Sequence, residues 1–256
     1  MAKLNNANIF GNLTVSGSIT GIVNSIIVRL ITGGSSFTPS SSNVKGGLVI
    51  ITGGGGGGGG ADTLDDGDDL ASAGAGGGGG GGTIILGCSY AQLNNASYSI
   101  GGAGTVGSAT NGTSGTAGGN TTFTPVGGSI QTATGGSGGT GTGALGSSTP
   151  AVGSFAGGAG GIPTGSVGFV NYVGGSGSNG WGMQATSGLV SYGGAGGRSF
   201  WSGNSINEII IAAGNVAPAA AQNYGCGGAG AVSLNSITGA AGGAASPGVL
   251  VVLEFL

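Results

Sequence analysis

Five of the seven acidic residues of this chain fall between positions 62 and 69, at Asp62, Asp65, Asp66, Asp68 and Asp69. Hard cations take several oxygen ligands, so a Ca²⁺ loop is one chemistry that such a cluster could support. The spacing is not that of an EF-hand and no bidentate Glu follows, so a solvated loop joining two structural segments is the simpler expectation, with no metal and no other cofactor. Cys88 and Cys226 each neighbour a glycine. They could be bonded, but two free buried thiols are the simpler reading. The chain has no His, which excludes Ser-His-Asp and Cys-His arrangements. A glycosidase-like carboxylate pair would have to come from the Asp cluster, Glu208 or Glu254, and the two Glu residues are isolated. Gly-Xaa-Gly-Xaa-Xaa-Gly is matched trivially many times, and no Gly-Lys-Ser/Thr phosphate loop exists. No catalytic residue is assigned, and the expectation is that the protein is not an enzyme.

Recognition chemistry is better represented. The longest glycine-poorer inserts, about 162–192 and 198–224, hold both Trp residues. Exposed Tyr and Trp are preferred anchors of recognition surfaces, so Tyr172, Trp181, Phe200 and Trp201 are the candidate receptor contacts. The alternative is that these rings cover the glycine-rich body as local core. The basic residues are only Lys3, Arg29, Lys45 and Arg198. They cannot form the stripe that nucleic acid requires or a polybasic site for anionic lipid. The apolar stretch Ile22 to Ile31 is short and interrupted by Asn24, Ser25 and Arg29, so membrane insertion is not expected. The first residues lack a secretory pattern, which points to synthesis in a cytoplasm. Charged residues are 4% of the chain and net charge is -3. So little electrostatic protection favours an oligomer or a subunit attached to something larger.

The elements that must position these residues are built from glycine, 69 of 256 residues. Disorder goes with low hydrophobicity and high net charge, which this chain lacks. Collagen needs an unbroken Gly-X-Y period and abundant Pro, but there are 6 Pro and the period breaks often. The recurrent spacing is three: Gly101, Gly104 and Gly107; Gly112, Gly115 and Gly118; Gly135, Gly138 and Gly141; Gly174, Gly177 and Gly180. Three matches neither an α-helix nor a strand. It matches the polyproline II helix, which has no internal hydrogen bonds. Buried peptide groups must be paired, so such helices have to bond sideways, and only glycine lets their backbones approach that closely. A helix surrounded on all sides needs glycine throughout. The runs Gly53–Gly60 and Gly76–Gly82 are therefore expected to be central, with Gly53, Gly56, Gly59, Gly76, Gly79 and Gly82 as structural glycines. The period-three tracts, including Gly101, Gly104, Gly135 and Gly138, are expected at the periphery. Ordering this much glycine costs on the order of 35–70 kcal/mol relative to Ala, which only dense lateral bonding and close contact could offset. Strands are expected at Leu48–Thr52, Thr83–Leu86, Ile206–Ala212 and Val249–Phe255. A further alternation, with Leu13, Val15 and Ile19 on one face, is expected in a separate N-terminal segment, residues 1–32, that cannot bury its face alone.

Phe37-Thr38-Pro39, then Leu48-Val49-Ile50-Ile51-Thr52-Gly53 with its polyglycine tail, resembles the glycine-rich domain of bacteriophage tail fibre proteins. So do Ser99-Ile100-Gly101-Gly102-Ala103-Gly104, the Gly-Gly-Xaa-Gly-Gly tracts, Tyr224-Gly225-Cys226-Gly227-Gly228-Ala229-Gly230, and the ending Pro247-Gly248-Val249-Leu250-Val251-Val252. The resemblance covers about residues 33–256. Gly11-Asn12-Leu13-Thr14-Val15-Ser16-Gly17-Ser18-Ile19-Thr20-Gly21 looks like fibre-attachment repeats of the same proteins. The body is also similar to the polyglycine II sandwich adhesins of T-even-like phages. The resemblance implies a fold without substantial α-helix, a short β-strand collar plus a stacked polyglycine II bundle. It implies a virion tail-fibre subunit, assembled in the host cytoplasm, whose loops bind a host surface receptor, protein or glycan. Its other partners would be itself, as a homotrimer, or a fibre or baseplate protein through residues 1–32. The competing readings are a self-assembling filament or matrix protein without a receptor, and an ice-binding protein. The long, unequal inserts count against the latter.

Overall fold

The computed structural model describes residues 25–62, 72–142, 152–165, 170–185, 188–202, 209–211, 214–216, 218, 220–234 and 239–256. Among these residues the fold is all-β, with one four-residue helix and one 3₁₀ turn. The chain runs back and forth between two ends, a collar end and a far end. It begins in the collar with β1 (Ile26–Ile31), β2 (Ser36–Phe37) and β3 (Gly46–Thr52). Tract 53–61 crosses to the far end, and β4 (Ser72–Gly74) leads tract 75–82 back to β5 (Thr83–Ser89), helix α1 (Tyr90–Leu93) and β6 (Ala96–Ser99). Tracts 101–107 and 113–119 go out and back around the 3₁₀ turn Thr110–Gly112, reaching the collar hairpin of β7 (Thr121–Thr124) and β8 (Gln131–Ala133). Tract 134–142 runs outward, and β9 (Val152–Phe155) with tract 156–161 returns to β10 (Pro163–Thr164) and β11 (Val170–Tyr172). Tract 173–179 leads to the far-end hairpin of β12 (Gly180–Ala185) and β13 (Gly188–Gly193), and tract 194–199 returns. The far-end strands β14 (Ile209–Ile211) and β15 (Gly214–Val216) precede tract 226–231, β16 (Val232–Leu234), tract 239–246 and the closing collar strand β17 (Val249–Phe255).

Between the two ends the backbone forms a laterally bonded array with a cycle of three. In tract 53–61 the N–H groups of Gly53, Gly56 and Gly59 donate to carbonyls of Gly82, Gly79 and Gly76. Those of Gly54, Gly57 and Gly60 donate to Gly119, Thr116 and Thr113, and those of Gly55, Gly58 and Ala61 to Ser246, Gly243 and Ala240. All nine bonds measure 2.8–3.1 Å. The carbonyls of the same tract accept from three other tracts: Gly54 and Gly57 from Gly136 and Gly139, Gly55 and Gly58 from Gly104 and Gly107, Gly56 and Gly59 from Gly228 and Ala231. Six tracts thus ring this one. Tract 75–82 is ringed in the same way, by 134–140, 175–178, 225–231, 53–59, 158–161 and 194–197. This supplies the pairing that buried peptide groups require without a conventional sheet or helix.

Glycine content follows the number of buried faces. All of 53–60 and 76–82 is buried. A Cβ on Gly56 would overlap the Ser137 carbonyl, and one on Gly79 the Ala159 carbonyl. Tract 101–107 buries only Gly101, Gly104 and Gly107, one residue in three, and exposes the pairs between them. Tract 134–142 needs two glycines in three. Gly136 and Gly139 bond to tract 53–61, while a Cβ on Gly135 or Gly138 would strike the carbonyls of Gly118 or Gly115. Only Ser137 and Thr140 in this tract point fully to solvent.

The collar is a sandwich of two antiparallel five-stranded sheets. The first has the order β1-β17-β3-β5-β11 and the second β10-β8-β7-β6-β2. The Leu48–Thr52, Thr83–Leu86 and Val249–Phe255 expectations all lie in the first sheet; Ile206–Ala212 shortens to β14 among the described residues. Between the sheets lies the main core, with Phe37, Val49, Ile51, Ile84, Leu86, Phe123, Leu250 and Val252. Leu93, carried by α1 under a Ser89–Gln92 capping box, belongs to that core. Glu254 is fully buried on the inner face of the first sheet. Its carboxylate accepts the Ser40 N–H at 3.0 Å and faces the Arg29 guanidinium at 3.4 Å, which itself lies 4.8 Å from the Phe37 ring centre. At the far end, sheets β15-β16-β4 and β14-β13-β12-β9 stack on the glycine array around a cluster of small side chains, Ala61, Ala73, Ala231 and Ala240. Residues 26–31, which fall in the expected N-terminal segment, are the edge strand of the collar, paired along β17. The alternation around Leu13, Val15 and Ile19 lies outside the described residues.

Candidate functional site

The array separates the two ends, and the four candidate aromatic residues divide between them. At the collar, β11 pairs Tyr172 with Thr83, and the Tyr172 and Phe200 rings meet edge-on at 6.1 Å. Phe200 meets Trp201 edge-on at 5.2 Å. The Trp201 indole N–H donates to the Thr52 hydroxyl at 2.9 Å, and that hydroxyl shares a 2.8 Å bond with Thr83. Trp201 therefore caps the row of threonines where strands β3 and β5 turn into glycine. Burial of an indole with its N–H satisfied is the arrangement that aromatic polar handles favour. Tyr172 and Phe200 remain exposed.

Trp181 is at the opposite end. It lies opposite Tyr192 in the β12–β13 hairpin, and the two rings stack at 4.2 Å with an interplanar angle of 28°. The alternation of the hairpin explains why. Gly180, Gly182, Ser191 and Gly193 are buried, whereas Trp181 and Tyr192 are half-buried on the other face. A Cβ on Gly74 would strike the carbonyls of Trp181 and Tyr192, so β4 crosses directly beneath the pair. Tyr192 was not singled out from the sequence. Its partnership depends on a hairpin register that spacing alone does not reveal. The sequence-level insert 162–192 is likewise divided by structure: tract 173–179 belongs to the glycine array, and the residues on either side of it sit at opposite ends.

Asp62 ends tract 53–61 at the far end, where its carboxylate accepts the Asn111 N–H at 2.9 Å. Asn111 has φ 59°, in the left-handed region, so this bond holds the 3₁₀ turn against the array. Asp65, Asp66, Asp68 and Asp69 lie outside the described residues, and among the described residues no cluster of His, Cys, Asp or Glu has metal-binding geometry. Cys88 and Cys226 are both buried free thiols. Burial pushes the Cys88 thiol up to about 11 from its ordinary value of 9.0. Cys226 lies 3.4 Å from the Ser199 hydroxyl, itself bonded to the Tyr224 carbonyl at 2.5 Å. No helix among the described residues is long and apolar enough to cross a membrane.

The far-end surface therefore offers a stacked aromatic pair seated over β4. The first collar sheet offers something different. Its outer face carries Ile26, Val28 and Leu30 from β1, Leu48 and Ile50 from β3, and Leu253 from β17, with no charged side chain in register among them. No family model matches the chain, and no curated protein matches it significantly.

Proposed function

We propose that the protein is a receptor-binding structural protein of the phage tail-fibre type, with the glycine array acting as a polyglycine II platform. The observation that carries this reading is the ring of six tracts around each all-glycine interior tract. Such an array fixes the distance between its two ends. It confines variable, side-chain-bearing segments to connections at the far end, as a recognition device needs. In this proposal Trp181 and Tyr192 contribute to the host-receptor surface, together with residues 63–71, 143–151 and 235–238, which lie outside the described residues. Tyr172, Phe200 and Trp201 are given instead to the collar, because Trp201 is committed to Thr52 and its two neighbours extend the collar face. Residues 1–24 precede the collar and are proposed to join the protein to a fibre.

The test is binding of the purified full chain to host bacterial cells, and its competition with virion adsorption. Exchanging residues 143–151, or replacing Trp181 and Tyr192 with Ala while the protein stays folded, is expected to abolish cell binding. Retained binding with both changes would remove the far end from recognition. The filament reading draws on one observation, the uncovered apolar face of the collar. Open-ended polymers of the purified chain, with no cell binding, would favour it.

A further inference from the structure

The first collar sheet is apolar on both faces. Antiparallel sheets with one wet face alternate apolar and polar residues, whereas strands covered on both sides read as near-continuous apolar runs. β1 reads Ile-Ile-Val-Arg-Leu-Ile and β17 reads Val-Leu-Val-Val-Leu-Glu-Phe. The one ion pair of these strands among the described residues, Arg29 with Glu254, belongs to the inner face. On the outer face Ile26, Val28 and Leu30 are 55%, 65% and 58% exposed. They stand on an edge strand whose outer side has no partner in the sheet order. Exposed aliphatic rows on an edge strand are what soluble proteins avoid, by placing charge or proline there. The outward row of this edge has neither, since the one charge of β1, Arg29, is on the inner face.

We infer that a second copy of this chain covers this face, packing the outer side of its own collar sheet against it. Three points select that occupant. The face has no charge with which to recognise a polar or charged partner, so its best complement is another flat apolar sheet. Five strands about 4.8 Å apart and up to seven residues long present a face of roughly 500 Å². Two such faces bury on the order of 1,000 Å² together, which is where specific interfaces begin, and a lone patch of about 500 Å² is at the upper end of what monomers expose and often marks an interaction site. The chain also carries 11 charged residues in all, so little opposes the approach of two copies. Packing collar to collar leaves both far ends free. The inference concerns assembly alone and stands whether or not the far end binds a receptor.

The test uses the full chain in sedimentation velocity and light scattering. Wild type is expected to run as a closed dimer, because one patch packed on its own copy closes with two-fold symmetry. Val28→Lys and Leu30→Lys, both at exposed positions that leave the core untouched, are expected to weaken association on the order of 100-fold or more, with unchanged circular dichroism. A Val28→Cys thiol is expected to be shielded from reagents in the oligomer and reactive after dilution. A monomeric wild type with that thiol open would overturn the inference. So would an oligomer that survives both lysine variants, since its interface lies elsewhere. So would a monomer whose Val28→Cys thiol opens only after residues 1–24 are removed, since the chain's own N-terminal segment would then be the cover.

Discussion

Replacing Gly56 with Ala should cost several kcal/mol, whereas the same change at Gly102 should cost nothing. At Gly56 the new methyl group would fall on the backbone carbonyl of Ser137, with Gly136 beside it. Neither is a flexible side chain that can move aside. Ser137 is also the acceptor for the Gly79 N–H at 2.8 Å, while Gly56 itself donates to Gly79 at 2.8 Å and accepts from Gly228 at 2.9 Å. Separating the tracts enough to admit the methyl group breaks or stretches these three buried bonds. At about 1–3 kcal/mol for each buried group left unpaired, the loss is roughly 3–9 kcal/mol. The gain from restricting the unfolded chain is only about 0.4–1 kcal/mol. The net loss is comparable with the whole stability of a typical domain, about 5–15 kcal/mol. At Gly102 an added Cβ meets nothing within 4 Å, and the carbonyl keeps its 2.8 Å bond from Gly119. There only the unfolded-state term remains, and Gly102→Ala should stabilise by about 0.4–1 kcal/mol. Denaturant unfolding of the two variants beside wild type decides the matter. Equal stability of Gly56→Ala and Gly102→Ala would refute the argument that interior glycines are required for close backbone approach.

Three further outcomes are expected. Glu254→Ala should destabilise by about 1–3 kcal/mol in thermal or denaturant unfolding, because the Ser40 N–H loses its acceptor while the partly exposed Arg29 can turn to solvent; Arg29→Ala should cost at least as much, because it leaves the fully buried Glu254 carboxylate without its counter-charge. Trp201→Phe should cost about 1–2 kcal/mol by removing the indole bond to Thr52, and Thr52→Val should cost more, because it also takes the 2.8 Å partner from the buried Thr83 hydroxyl; a double-mutant cycle should show the two changes to be less than additive. The third outcome concerns pH. The unfolded chain releases the Cys88 proton near its ordinary value of 9.0, whereas the folded chain holds it to about 11. The contribution of this thiol is therefore intact below pH 9 and lost as pH rises toward 11, by about 2–3 kcal/mol. Wild type should lose that much relative to Cys88→Ala across this window, and parallel denaturation profiles for the two proteins would contradict it.

How much of this was legible in the sequence depends on which link of the argument is asked for. The glycine rule was legible because it is local. A residue that touches a neighbouring backbone on a given face must lack a Cβ, whatever that neighbour is. Gly101, Gly104 and Gly107 therefore announce one buried face, and Gly53–Gly60 announce that every face is buried. The strands at 48–52, 83–86 and 249–255 were legible for a similar reason, since β-branched runs leave few other choices. The Gly-Gly-Xaa pattern of 134–142 was read only as period three. Its second glycine per triplet encodes a second contact face, which becomes apparent once tracts 113–119 and 53–61 are seen on two sides of it.

What the sequence left hidden is the direction in which each tract runs. Residue spacing says that a tract is bonded sideways, but it does not say which end of the array the next connection occupies. Tyr172 and Trp181 are nine positions apart, and a full crossing of the glycine array separates them. Trp181 and Tyr192 are eleven apart and stack. In an α-helical protein or a simple sheet, such short separations carry some spatial information through the period. Here one crossing consumes about seven residues, as in tract 173–179, so neighbours in sequence on either side of it stand at opposite ends. Parity of crossings, counted from the collar, is the variable that sorts the aromatic residues into two surfaces. β1, β3, β5 and β17 gather four aliphatic runs of six or seven residues into one sheet, whereas the far-end strands vary, from β4 and its Ser-Ala-Gly to β14 and its three Ile residues. Because the array holds the ends apart, the described far-end strands do not lie over Val28 and Leu30. The apolar surplus of the collar must be covered from outside the array, and this geometric constraint ties the glycine rule to assembly.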